Sequence, residues 1–147
     1  MSVHSVKLMQ TMAASFLMGQ SLPANTPYEQ KTSMLIGVLL IMFAEDVDGL
    51  VERLREENGA IRTLCEEGEG IVTDAALREK LAARPAGTDS LRVSVLQEEN
   101  DALRALLIDL HAGVETATDA AAVALEERIF AELRRSTERR RLLSQPL

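Results

Sequence analysis

Residues 51–65 (VERLREENGAIRTLC) and 93–107 (VSVLQEENDALRALL) are two versions of one pattern, aligned without gaps at an offset of 42 with eight of fifteen positions identical. Both contain Leu-x-Glu-Glu-Asn-x-Ala-x-Arg-x-Leu, starting at Leu54 and at Leu96. Leu, Glu, Ala and Arg are strong helix formers, and the apolar positions recur every three or four residues. The pattern therefore predicts two helices that each bury a face against another helix. Two copies are too few for a solenoid, which buries its faces only by stacking several repeats.

With Asn58 and Asn100 at heptad position a, the first copy has Val51, Leu54, Asn58, Ile61 and Cys65 on its seam. The second has Val93, Leu96, Asn100, Leu103, Leu107, Leu110 and Val114. The second seam is sustained, whereas the first is expected to fail at Gly68. A lone Asn at position a lowers stability but fixes register and strand number, because its amide is satisfied only opposite a polar partner. The feature resembles a leucine-zipper seam in miniature. Two packings are open: the asparagines face each other within one chain, or each faces its own copy across a homodimer axis. Leu54, Asn58, Ile61, Leu96, Asn100 and Leu103 are accordingly candidate interface residues.

The rest of the chain also reads as helix. Of its 147 residues 46% are hydrophobic but only 3% aromatic, and no strand-like alternation occurs. The expectation is an all-α bundle of about five helices, one or two of them long and amphipathic, in a single domain over 1–147. Its apolar centre is placed at about 2–44, coiled-coil-like segments at 47–67 and 91–114, and a basic helix at 119–143. Gly19 is expected to end the first helix. Thr26 and Pro27 start the second, with Glu29 close behind, a kink near Asp46–Gly49, and a stop at Gly68 and Gly70. Thr73 is expected to cap a short helix over 74–83. Thr88, Asp89 and Ser90 open the next at Leu91, and Gly113 closes it. Thr116 or Thr118 caps the last, whose apolar stripe is Ala121, Ala124, Leu125, Ile129, Phe130 and Leu133. The N-terminal helix is apolar nearly all round, implying burial on several sides or by a partner, so Met9, Met12 and Phe16 join the interface candidates. The longest apolar run, Met34–Ala44, is too short to span a bilayer, and no membrane span is expected.

The net charge of −7 is unevenly spread. Residues 1–44 sum to +1, residues 45–70 to −6 and residues 128–147 to +4. Arg134, Arg135, Arg139, Arg140 and Arg141 are candidates for docking on an acidic helix. A nucleic-acid role is disfavoured by the overall acidity and the scarcity of stacking aromatics. Cys65 is the only cysteine. It excludes an intramolecular disulfide, fits a reducing cytoplasm, and lies on the seam beside Glu66 and Glu67, a setting for a packed rather than a nucleophilic thiol. No phosphate loop or nucleophile elbow occurs, and neither His4 nor His111 follows a Glu by three residues, so no cofactor or metal site is expected. The sequence points to a non-enzymatic assembly or interaction module that self-associates, with a dimer favoured. The alternatives are a small-molecule or metal-binding bundle using Met34–Ala44 as an apolar pocket, and a nucleic-acid accessory protein using the arginine cluster.

Overall fold

The computed structural model describes residues 4–20 and 26–142, and these form five α-helices and no strand. They are α1 (Ser5–Leu17), α2 (Pro27–Ile71), α3 (Ala75–Ala82), α4 (Val93–Val114) and α5 (Ala120–Arg139). The chain divides into two compact units, 51–140 and a second made of 1–50 with 141–147. The division falls beside Gly49, and helical structure continues through the Asp46–Gly49 stretch where the sequence suggests a kink.

Helix ends follow local chemistry. The α2 start is a capping box: the Glu29 backbone N–H donates to Thr26 Oγ1 at 3.2 Å, and the Thr26 N–H donates to the Glu29 carboxylate at 2.9 Å. Gly19 adopts φ +67° just beyond α1. Its N–H donates to Phe16 O at 3.2 Å and that of Gln20 to Ser15 O at 2.9 Å, the paired bonds of a Schellman close. The caps of α3 and α5 are Asp74 and Asp119, whose carboxylates accept from Ala76 N and Ala122 N. This corrects the expectation of Thr73 and of Thr116 or Thr118. A carboxylate is a strong acceptor and favours the positive end of the helix dipole. α4 begins at Val93, two residues late, because Ser90 N donates to Thr88 Oγ1 and Arg92 N to Ser90 Oγ, holding 88–92 in turns.

Within 51–140, the last third of α2 packs with α3, α4 and α5 around one hydrophobic cluster that includes Ile61, Cys65, Leu81, Leu103, Leu110 and Ile129. Gly68 and Gly70 lie inside α2 rather than ending it, and Gly113 likewise lies inside α4. For Gly68 the reason is close approach: a Cβ there would overlap the side chain of the fully buried Leu110, meeting its Cδ2 at 2.9 Å. The buried face of α5 is Ala122, Leu125, Ile129, Glu132 and Ser136. Ala121 and Ala124 are exposed, and Phe130 and Leu133 remain 45% and 38% exposed, so the core stripe is rotated from the expected one. Two polar residues can occupy that face because Arg139 pairs with Glu132 and Arg140 bonds Ser136.

Within 1–50, α1 and residues 27–50 of α2 form an antiparallel hairpin. Ser33 Oγ donates to Phe16 O at 2.9 Å. Gly37 allows the helices to touch: a Cβ there would stand 2.7 Å from Leu17 Cγ and 3.0 Å from Ala13 O. Ala13, Ser33, Gly37 and Ala44 are the buried residues of this hairpin. Among the described residues, the region that reads as the apolar centre of a bundle thus buries only small residues, and the large hydrophobic cluster lies in 51–140.

Candidate functional site

The two sequence copies meet each other. Asn100 Nδ2 donates to Asn58 Oδ1 at 2.7 Å, and Asn58 Nδ2 donates to the Leu96 carbonyl at 3.0 Å. Both asparagines are buried, at 2% and 1% exposure. The Gly68–Leu110 contact repeats the same separation of 42 residues, so α2 and α4 run parallel with equivalent positions opposed. The flanking charges obey the same register. Glu57 and Glu99 stand at heptad position g, one residue before each Asn, while Arg62 and Arg104 stand at e, four residues after. Arg104 pairs with Glu57, and Arg62 pairs with Glu99. These are the reciprocal g-to-e pairs that a parallel two-helix seam forms between successive heptads. The four residues are not among the sequence-based candidates, although a signal for them exists: Glu and Arg are identical in both copies at those positions.

A parallel pair needs a crossover, and α3 supplies it. Leu77 and Leu81 bury its inner face, and Lys80 Nζ lies 2.9 Å from Asp109 of α4. The hydrogen bond and charge of that carboxylate raise the Lys80 pKa. Arg62 Nε donates to Pro85 O at 3.1 Å, and the return loop passes over the same guanidinium at Gly87, whose φ of +102° suits glycine.

The arginine cluster divides. Arg140 reaches Glu57 at 2.7 Å, so this buried carboxylate receives guanidinium groups from both α4 and α5. Arg139 pairs with Glu132, and Arg128, earlier in α5, pairs with Glu67. Arginines of α5 and of its C-terminal cap therefore engage acids of α2 within one chain. Arg134, Arg135 and Arg141 are exposed, and Arg141 belongs to the other unit.

Leu54, Ile61, Leu96 and Leu103 are each at most 4% exposed, packed inside 51–140 with the asparagine pair. Cys65 is completely buried, and that burial pushes its thiol up to about 11 despite the opposing charge of Arg84, so the reactive thiolate is scarce at neutral pH. His111 stands edge-on to Phe130, with ring centroids 5.2 Å apart, and 3.7 Å from Glu126. No group of three or more His, Cys, Asp or Glu converges among the described residues to hold a metal. A cleft of about 310 Å³ beside the seam is lined by Arg55, Arg62, Thr88, Asp89 and Glu99, and two of its charged groups, Arg62 and Glu99, neutralise each other.

The 1–50 hairpin has the opposite character. Met34, Leu35, Val38, Leu39 and Phe43 are 43–58% exposed and share the side of α2 facing away from α1. They form an open face rather than an enclosed pocket. Met12 is 45% exposed, and Met9 and Phe16 are half-buried. No helix among the described residues is long and apolar enough to cross a membrane. No family model matches the chain, and no curated protein or solved structure is significantly similar to it.

Proposed function

We propose that this chain is a non-enzymatic helical assembly or protein-interaction module whose contact surface is the apolar face of the 1–50 hairpin. The observation that carries this reading is the exposure of Met34, Leu35, Val38, Leu39 and Phe43 on one helix side. Contiguous apolar patches of this extent on soluble domains usually mark contact sites. The 51–140 unit supports the reading from the other direction. Its coiled-coil-like seam is saturated within the chain, with both asparagines bonded and both g-to-e pairs made. Association is therefore assigned to the hairpin, whose five large apolar side chains share one helix side.

Site-specific photo-cross-linking in cells tests it. A benzophenone side chain at Leu39 is expected to give a discrete protein adduct, identified by mass spectrometry, and one at exposed Glu52 is not. Absence of any protein adduct from Leu39 and from Leu35 would overturn the reading.

A further inference from the structure

The parallel pairing of α2 and α4 gives each buried seam carboxylate a counterpart, and the two are not equally used. The side chains of Glu57 and Glu99 are only 4% and 8% exposed. Each gives its Oε1 to the e-position arginine of the facing helix, Arg104 for Glu57 and Arg62 for Glu99. Glu57 Oε2 takes a second guanidinium, that of Arg140, at 2.7 Å. Glu99 Oε2 has no such partner among the described residues. On its side lies the cleft of about 310 Å³, lined by Glu99 itself, by Asn58 and Leu96, and by 86–89 of the return loop. The two-fold relation between the copies matches this cleft to the space that Arg140 fills beside Glu57. Ligand pockets run from roughly 300 to 1,000 Å³, so the cleft suits a molecule of amino-acid size. Arg55 adds a second unmet group. It stands at e, one heptad before Arg62, and the facing g position holds Arg92 instead of an acid, so its guanidinium has no seam partner. Arg55 is exposed and lines the cleft, as does exposed Asp89. One cleft thus offers the open oxygen of a nine-tenths-buried carboxylate and a cation that lacks a pair.

We infer that this cleft binds free arginine or a close guanidinium-bearing amino acid. The ligand's guanidinium sits on Glu99 Oε2 as Arg140 sits on Glu57, its carboxylate meets Arg55, and Asp89 accepts from its α-ammonium group. A guanidinium is the fitting head because its planar fork bonds a carboxylate that another guanidinium already holds, as Arg104 and Arg140 do together at Glu57. Calorimetric titration of the full chain with millimolar L-arginine is expected to show saturable binding at one site, with amide shifts at Gly87 and Thr88 in NMR spectra. L-norleucine, which lacks the side-chain cation, is not expected to bind. Arg55→Ala is expected to weaken L-arginine about tenfold and to leave agmatine, which lacks the carboxylate, unchanged. Glu99→Gln is expected to abolish binding of both, whereas Glu56→Gln, at an exposed acid of α2, changes neither. Should Glu99→Gln not fold, the Arg55→Ala contrast and the amide shifts still decide. No saturable binding of L-arginine to the wild-type chain would overturn the proposal. Equal losses from Glu56→Gln and Glu99→Gln, the mark of general attraction of cations to an acidic chain, would also overturn it, as would an Arg55→Ala effect shared by agmatine.

Discussion

Replacing Asn58 alone with leucine is expected to lower unfolding free energy by about 1–3 kcal/mol, and replacing Asn58 and Asn100 together to recover most of that loss. The asymmetry follows from the geometry. With Asn58 gone, the Asn100 amide has lost the acceptor 2.7 Å away and remains 1% exposed, so its desolvation is no longer offset. With both gone, two leucines face each other across an apolar layer bounded by Leu54, Leu96, Ile61 and Leu103, and no polar group is stranded. Urea unfolding of the two singles and the double measures the coupling. Additive losses would show that the asparagines do not act as a pair. The double variant should also lose specificity: without the buried amides, α2 and α4 are free to pair with copies of themselves, and higher oligomers should rise with concentration.

The second large effect lies further along the same seam. Gly68→Leu is expected to destabilise the protein by about 3 kcal/mol, because the added side chain enters space filled by Leu110. Leu110→Ala alone is expected to cost about 2–5 kcal/mol, as a buried leucine truncation does. The swap Gly68→Leu/Leu110→Ala changes the layer by a single carbon, and its stability is expected to lie within about 1.5 kcal/mol of wild type. Thermal and urea unfolding check the series. A swap as unstable as the sum of its parts would mean that positions 68 and 110 are not opposed.

Much of this seam is legible in the sequence. The matched Leu, Asn and Ala positions identify the helices, and the Asn at position a identifies the buried polar pair. Whether that pair closes within one chain depends on the crossover. Nothing in the pattern itself encodes the crossover, since the same heptads serve a homodimer equally well. Gly68 reads as a stop on helix propensity alone, and it lies inside α2 because of what stands opposite, the side chain of Leu110. The buried α5 face departs from the expected stripe for a related reason. Glu132 and Ser136 are polar, and only the arginines that fold back onto them make their burial tolerable. In the 1–50 hairpin, hydropathy signals burial as a tendency but carries no information on which body does the covering. The small residues Ala13, Ser33, Gly37 and Ala44 mark the face that closes within the chain, and the large ones mark the face left open.

The two copies lie side by side, parallel and in register at a separation of 42 residues. Cys65 provides a built-in ruler for that arrangement, because the equivalent position in the second copy is Leu107. In Leu107→Cys, mild oxidation should close an intrachain disulfide between Cys65 and the introduced thiol, read by intact mass and by faster migration of the monomer on a non-reducing gel. Ile108→Cys, one residue out of register on an exposed face, should close none. Intrachain closure at position 107 alone is the result predicted; closure at position 108 in preference to 107, or disulfides formed only between chains, would contradict it.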